Sequence, residues 1–256
     1  MKFGNLQPVS GGCIHRCYRA GEGFLKVNDA RLADAFAAEA DGLRALRAAG
    51  CAAPTPYETG TDGGEAYLLM EWIDLRSRGD FAALGRMLSH LHGSSGGPFG
   101  WTRDNYIGAT PQRNGRTDDW KTFWIEQRMA PQLELARRNG HRIDIGSVCD
   151  LLDGHAPQPS LVHGDLWSGN VGFTADGPVV FDPAVYYGDR EVDLATTELF
   201  GGFPPAFYSA YGSMPAGYET RKHLYNLYHL LNHLNLFGGG YLAQVNSTLG
   251  LLRRAL

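Results

Sequence analysis

The sequence contains little cysteine. Only Cys13, Cys17, Cys51 and Cys149 occur among its 256 residues. Cys13 and Cys17 are separated by three residues, but no second pair follows at the spacing of a zinc site. The cysteines therefore predict reduced thiols rather than a structural zinc centre.

An excess of positive charge and a long apolar run are also absent. The formal net charge is −4 and the pI is near 6.1, so the chain offers no basic surface for nucleic acid. No run of about 18 apolar residues suggests a membrane span. Residues 1–8 lack the apolar stretch of a secretion signal. We expect a cytoplasmic protein that binds neither nucleic acid nor membrane, and its oligomeric state cannot be read from the sequence.

The hydrophobic pattern changes part-way along the chain. Hydrophobic residues make up 43% of the sequence, enough for one large or two small lobes with a core. The first part predicts short strands around one helix, with strands at 24–27 and 65–73 and the helix over 29–49. Later segments predict mainly helices; these lie near 81–91, 120–139, 191–200, 204–212 and 217–237.

Two breaks are expected in the later part. Residues 92–118 are rich in Gly, Ser and Asn and predict a loop, and Pro131 predicts a kink or break in the helix around it. We therefore predict an α+β, bilobal, protein-kinase-like fold. Its small β-rich N-lobe would span residues 1–74 and its larger helical C-lobe residues 75–256, with the chemistry at their junction.

The segment LVHGDLWSGN, residues 161–170, is the most informative part of the chain. It places Asp165 and Asn170 five residues apart, and Asp182 follows a second apolar run twelve residues later. Phosphoryl transfer from ATP uses one carboxylate to accept or orient the acceptor's hydroxyl proton, and an Asn with a second carboxylate to hold Mg²⁺. We predict Asp165 as the catalytic base and Asn170 and Asp182 as Mg²⁺ ligands, with His163 bracing the loop. An ordinary turn would explain HGD alone, but several distant segments favour the kinase interpretation.

Two segments in the first part fit an ATP phosphate site. Lys26 on an apolar strand, followed by Glu39 in the next helix, matches the lysine–glutamate pair that holds the α- and β-phosphates. The other acidic residues that could partner Lys26 are Asp29, Asp34 and Asp41. Gly11, Gly12 and Cys13 precede this strand, where backbone N–H groups can approach phosphate oxygens. A thiol beside such amides and a lysine is a hypothetical redox-sensitive group, although an inert small residue is the simpler interpretation of Cys13.

The end of the apolar strand over 65–73 predicts a hinge. Main-chain atoms of Glu71, Trp72 and Ile73 are the expected contacts to adenine. A plain core strand is equally compatible with this pattern.

For several other residues the sequence predicts a role less specifically. Trp167 either stacks on a sugar ring or packs within the protein. Asp189 is a candidate to meet substrate or a metal-bound water, and Asp193 to bind the backbone of the catalytic loop. His229 and His233 are four residues apart, but no neighbouring Glu completes a zinc motif, so core or surface positions on a helix are expected.

Together these segments resemble the fructosamine kinase (ketosamine-3-kinase) family. The resemblance runs from about Gly11 to Tyr241, and the Trp-Ser pair within HGDLWSGN is its most specific part. The matching segments are 99–101, 105–108, 111–114, 163–170, 182–194, 198–203 and 224–241. Family residues fall on Lys26, Glu39, Asp165, Asn170 and Asp182. The glycine loop is the least certain match, because His15-Arg16-Cys17 departs from the polar, uncharged residues expected there.

The resemblance implies a reaction as well as a fold. It implies a protein-kinase-like fold, ATP with Mg²⁺, and an acceptor that is a ketoamine, the adduct of a sugar and an amine. Phosphorylation of the sugar C3 hydroxyl makes such an adduct unstable and regenerates the amine. Neither the sugar nor the state of the amine, free or protein-bound, can be read from the sequence.

Two alternatives remain open at this stage. One is a small-molecule kinase with another acceptor, such as an aminoglycoside or choline; an acceptor pocket rich in Asp and Glu would favour a polycationic antibiotic. The other is a nucleotide-binding pseudokinase without catalysis. The intact set of Lys26, Glu39, Asp165, Asn170 and Asp182 argues against the pseudokinase.

Overall fold

A computed structural model describes residues 3–9 and 14–256. The predicted phosphate loop of Gly11, Gly12 and Cys13, together with the redox hypothesis for Cys13, lies outside the described residues.

A five-stranded antiparallel sheet opens the chain. Its strands are β1 (Gln7–Val9), β2 (Arg16–Ala20), β3 (Gly23–Asp29), β4 (Pro56–Asp62) and β5 (Glu65–Glu71), in the order β1-β2-β3-β5-β4. Side chains alternate between the two faces of a strand. On β3, Leu25 and Val27 pack with Tyr67 on one face, and Lys26 therefore projects from the other face.

One helix, α1 (Ala33–Ala48), connects β3 to β4 along the chain and buries Phe36, Leu43 and Leu46. It begins four residues later than predicted, because Asp29 caps a short 3₁₀ turn first. The Asp29 carboxylate accepts from Arg31 N at 2.9 Å. The sequence analysis did not predict β4, which is an edge strand of the sheet with Tyr57 and Glu58 exposed.

The rest of the chain is mainly helical. Its helices are α2 (Phe81–His92), α3 (Trp120–Phe123), α4 (Ala130–Arg138), α5 (Glu191–Leu199), α6 (Pro205–Tyr211), α7 (Tyr218–Phe237) and α8 (Leu242–Arg254). Three two-stranded pairs accompany them: β6 (Asn105–Ile107) with β7 (Thr110–Gln112), β8 (Ser160–Val162) with β11 (Tyr186–Gly188), and β9 (Val171–Phe173) with β10 (Pro178–Val180). The α+β class predicted from the sequence is confirmed. The β6–β7 pair inside the expected loop and the whole of α8 were not predicted.

The long helix α7 is the centre of the helical part. It packs against α4, α5 and α8, and twelve of its twenty residues are buried. A second close contact joins α2 to α6, where Gly85 lies against the backbone of Phe207. A Cβ at Gly85 would lie 2.3 Å from Phe207 O, so only glycine permits this approach. Within the described ranges, no helix combines the length and apolarity needed to cross a membrane.

The predicted irregularity near Pro131 is a π-helical segment, Trp124–Met129, that joins α3 to α4. Proline has no N–H to donate to the carbonyl of Gln127, four residues earlier. Arg128 Nη1 donates to that carbonyl instead, at 3.0 Å.

Arg128 is fully buried and has no carboxylate partner within residues 3–9 and 14–256. Its guanidinium lies 3.9 Å from the ring centroid of Tyr186 and 4.6 Å from that of Phe123. It also donates to Asn114 Oδ1 at 2.8 Å. The flat, weakly hydrated guanidinium suits this stacked position far better than an ammonium group would.

Candidate active site

The catalytic segment predicted from the sequence begins where β8 ends. Asp193, in the first turn of α5, accepts hydrogen bonds from His163 N at 2.6 Å and from Gly164 N at 2.8 Å. His92 Nε2 lies 3.1 Å from the same carboxylate. Burial alone would raise the pKa of Asp193, but His92, His163 and the Gly164 amide together lower it. The expected bond between Asp193 and the loop backbone is confirmed.

The loop turns sharply at Gly164, whose φ is 84°. A Cβ there would lie 2.2 Å from Ala184 O, so glycine is required at this position. His163 braces the turn on both sides, as expected. Its Nδ1 accepts from Asp165 N at 3.3 Å and its Nε2 donates to Phe181 O at 3.1 Å. Both bonds fit a neutral ring, and burial lowers the pKa of His163.

Asp165, Asn170 and Asp182 come together in one cleft. Asn170 Nδ2 donates to Asp165 O at 2.8 Å and to Asp165 Oδ2 at 3.1 Å. Asn170 Oδ1 is therefore the amide atom left for a cation. Burial, and next the charge of Asp182, raise the pKa of Asp165 to about 7.

Lys26 reaches from β3 into the same cleft. Its Nζ lies 2.6 Å from Glu39 Oε1 and also contacts Asp182 Oδ1. Burial alone would lower the pKa of Lys26, but the two carboxylates raise it, so the side chain stays cationic. Burial would raise the pKa of Asp182, and Lys26 lowers it instead.

The oxygen atoms of this cluster fit a divalent cation. A carboxylate and an amide oxygen are hard ligands of the kind that Mg²⁺ prefers. Asp182 adopts a φ of 58°, an uncommon conformation for a residue other than glycine. Such outliers often occur where a side chain must be directed into a functional site. Asp182 with Asn170 can therefore hold Mg²⁺.

The cleft has a volume of about 1200 Å³. Toward the sheet it is lined by Phe24, Met70, Trp72 and Ile73, an apolar surface suited to a flat ring. The Glu71 carboxylate accepts from Thr55 N at 3.0 Å and from Thr55 Oγ1 at 2.8 Å, so it is turned toward β4.

The chain leaves the sheet just after Glu71. Ile73 makes no main-chain hydrogen bond to any residue that the structure describes, and Trp72 N makes only a long one, of 3.4 Å, to Glu22 O. The main-chain groups of Ile73 are therefore available to a ligand at the apolar end of the cleft.

The other end of the cleft is formed largely by one side of α7 and by Trp167. Aromatic contacts connect its walls: Trp167 to Phe200 at 5.9 Å between ring centroids, Phe200 to His233 at 4.7 Å, and His233 to Tyr241 at 5.1 Å. Asn232 adds an amide group to this surface. Asn105 also lines the cleft, but its buried amide donates to Val185 O and accepts from Gln112 and Asn114. The described carboxylates that line the cleft as a whole are Glu39, Glu71, Asp74, Asp165 and Asp182.

Sequence reasoning missed His233 and Asn232 as cleft residues. Polar residues recur along the whole of α7, so their pattern does not tell which face meets a ligand. His229, one turn earlier, is buried. Its Nε2 lies 2.8 Å from Thr196 Oγ1 and its Nδ1 lies 3.7 Å from Asp165 Oδ1, so it packs beneath the catalytic loop.

Asp189 lies outside the cleft, in contrast to the expectation that it meets substrate or a metal-bound water. Its carboxylate is buried and accepts from Tyr225 OH at 2.7 Å and from Glu191 N at 3.0 Å. His155 Nε2 lies 2.6 Å from the same group. These contacts hold the start of α5 against α7, which is a structural role.

Comparison with known proteins identifies the family of this chain. The family model for fructosamine kinase matches residues 1–254. The chain belongs to the fructosamine kinase family. A relative named probable ketoamine kinase, from Synechocystis, is 49% identical over 261 residues, covering 95% of this chain and 88% of the relative. The resemblance inferred from the sequence, including the kinase class of enzyme, is confirmed.

Solved structures show the same fold. A Haemophilus somnus structure that carries a fructosamine-3-kinase name superimposes with a TM-score of 0.90 at 28% identity, covering 97% of this chain and 90% of that chain. An aminoglycoside phosphotransferase from Streptomyces rimosus gives a TM-score of 0.57 at 17% identity, covering 93% and 94% of the two chains, and shows a shared fold only. The kinase-like architecture predicted from the sequence is confirmed.

Proposed function

We propose that this protein transfers the γ-phosphate of ATP to the C3 hydroxyl of a ketoamine sugar, the step that destabilises the adduct and releases its amine. The observation that carries the proposal is the convergence of Asp165, Asn170, Asp182 and the Lys26–Glu39 pair in one cleft. The relatives' ketoamine kinase names support the choice of acceptor.

Each group has a role that follows from its position. Asp165 takes the proton of the acceptor hydroxyl as that oxygen forms a bond to the γ-phosphorus and the bond to the ADP oxygen breaks. Lys26, held by Glu39, neutralises charge on the α- and β-phosphates. Asn170 Oδ1 and the Asp182 carboxylate would hold Mg²⁺, which offsets the negative charge of the phosphates when bound.

The nucleotide is proposed to lie with adenine against Phe24 and Met70, bonded to main-chain atoms at Glu71–Ile73. We propose residues 1–74 as the lobe that binds it and residues 75–256 as the lobe that binds the acceptor. The negative net charge and the buried free thiols Cys17, Cys51 and Cys149 support a cytoplasmic enzyme.

The acceptor end of the cleft favours a ketoamine over an aminoglycoside. Aminoglycosides carry several ammonium groups, whose binding calls for several carboxylates. Here the α7 side of the cleft is largely aromatic. Among the described carboxylates of the cleft, Glu39 and Asp182 already pair with Lys26, and Glu71 accepts hydrogen bonds from Thr55. Such a surface suits a sugar, which stacks on rings and exchanges hydrogen bonds with amides. Trp167 is the proposed stacking surface.

The test is ADP release from Mg–ATP with fructosyl-lysine, ribulosyl-lysine, kanamycin or choline as the acceptor. We expect turnover with a ketoamine and its loss in Asp165→Asn. Turnover with kanamycin or choline only would contradict the ketoamine assignment and leave the phosphate machinery intact. Nucleotide binding without turnover on any acceptor would favour the pseudokinase.

A further inference from the structure

His15 is a cleft residue whose ring is fixed by the elements that carry the lysine–glutamate pair. It comes just before β2 and lines the cleft. Its ring lies 4.8 Å, between centroids, from that of Phe36 on α1, one turn before Glu39. Its Nδ1 lies 3.1 Å from Asn28 Nδ2 on β3, two residues after Lys26. The ring is thus oriented from two sides.

The orientation of the Asn28 amide can be derived from its neighbours. Asp29 N–H lies 2.8 Å from Asn28 Oδ1, which must accept this hydrogen bond. On the other side, Asn28 Nδ2 donates to Ile14 O at 2.9 Å. A flipped amide would set two donors and two acceptors against each other, so this assignment is fixed by hydrogen-bond logic.

The tautomer of His15 follows from the same logic. Because Asn28 Nδ2 is a donor, His15 Nδ1 must accept, and a neutral ring then carries its hydrogen on Nε2. Burial, and next the charge of Lys26, lower the pKa of His15 to about 4, which keeps the ring neutral at physiological pH. Nε2 has no hydrogen-bond partner among residues 3–9 and 14–256.

The position of this N–H group indicates its ligand. His15 is close enough to Lys26 and Asp182 for both charges to act on it, and the proposed metal ligand Asp182 marks where the terminal phosphates of ATP would lie. We infer that the neutral His15 ring donates its Nε2–H to a terminal phosphate oxygen of ATP, in addition to the contact that Lys26 makes with the phosphates. This inference rests on the proposed use of ATP. A neutral donor adds a bond to phosphate without repelling Lys26.

The first test compares the affinities of ATP, ADP and AMP, each with Mg²⁺, by calorimetry on wild type and His15→Ala. A hydrogen bond to a charged group is large enough to change affinity by about tenfold or more. We expect that loss for ATP, a change of less than about twofold for AMP, and partial recovery in His15→Gln, which keeps an N–H donor. His90→Ala, at an exposed position on α2, is the matched control and should match wild type.

The outcomes separate the two proposals. If wild type binds no ATP, the proposed function fails. If wild type binds ATP and His15→Ala binds it equally well, or loses ATP and AMP affinity alike, the role of His15 in phosphate binding is refuted while the proposed function stands.

A second measurement addresses the tautomer without any nucleotide. Long-range ¹H–¹⁵N NMR of the histidine rings should show His15 with its proton on Nε2. Asn28→Asp should move the proton to Nδ1 or give the imidazolium, because a carboxylate accepts from Nδ1. A wild-type ring protonated on Nδ1 would overturn the inference.

Discussion

Replacement of Asp193 by Asn should weaken the hydrogen bonds that support the backbone of the catalytic loop, while the proposed catalytic residues stay unchanged. The buried carboxylate accepts from His163 N, from Gly164 N and from His92. Asparagine keeps one oxygen and turns an NH₂ group toward the remaining donors, so at least one buried N–H loses its acceptor. Hydrogen bonds to a charged group contribute about 1.5–3 kcal/mol each, and an unpaired buried donor adds its own penalty. We expect Asp193→Asn to lose about 3 kcal/mol of unfolding free energy.

That loss corresponds to a fall in Tm of roughly 6–12 °C for a chain of this size. Urea unfolding followed by tryptophan fluorescence measures the free energy, and ADP release on the folded enzyme measures kcat. We expect kcat to fall as well, because the backbone before Asp165 loses its support.

The matched control is Asp189→Asn. Asp189 is also buried and also bonds several groups, but it does not contact the catalytic loop. Its loss should lower stability and leave the kcat of the folded protein nearly unchanged. Wild-type stability in Asp193→Asn, or an equal loss of kcat in both variants, would contradict a role for Asp193 in supporting the catalytic loop.

Three further predictions concern stability. The pKa of Asp193 is lowered in the folded state. The contribution of its carboxylate to the free energy of unfolding is therefore complete above the pKa of an unfolded Asp, about 3.9, and is lost as the pH falls through the folded-state pKa. The difference in unfolding free energy between wild type and Asp193→Asn should narrow when urea unfolding is repeated from pH 5 down to pH 3. Gly85→Ala should cost about 1–3 kcal/mol in urea unfolding, because its Cβ would lie 2.3 Å from Phe207 O and push α2 away from α6; an unchanged midpoint would contradict this. Arg128→Lys should cost roughly 3 kcal/mol, since a lysine cannot both stack on Tyr186 and reach Asn114; thermal unfolding close to that of wild type would contradict it.

The parts of the site predicted from the sequence are those that local rules determine. Strand alternation turned Lys26 away from Leu25 and Val27, and helical spacing put Glu39 on the inner side of α1, where the two meet at 2.6 Å.

The rest depended on tertiary structure. Asp189 was expected near substrate because it follows Asp182 closely in sequence, yet β11 lies between them and carries the chain out of the cleft. His233 was missed because α7 is buried on most of its circumference, so its apolar pattern does not mark which side faces a ligand. β4 was missed because an edge strand with exposed polar residues has the composition of a loop.

The placement of two histidines on α7 affects which substitutions can alter the acceptor preference of this enzyme. His229 packs under Asp165, and His233, one turn along, lines the cleft at the end where we propose that the acceptor binds. His233 Nδ1 also donates to the carbonyl of His229 at 2.9 Å, which joins the two positions through the helix backbone. A substitution that reshapes the acceptor wall from this helix will therefore also shift the support of the base. We therefore expect acceptor preference and turnover to be coupled, and variants selected for a new sugar should need compensating changes beneath the loop.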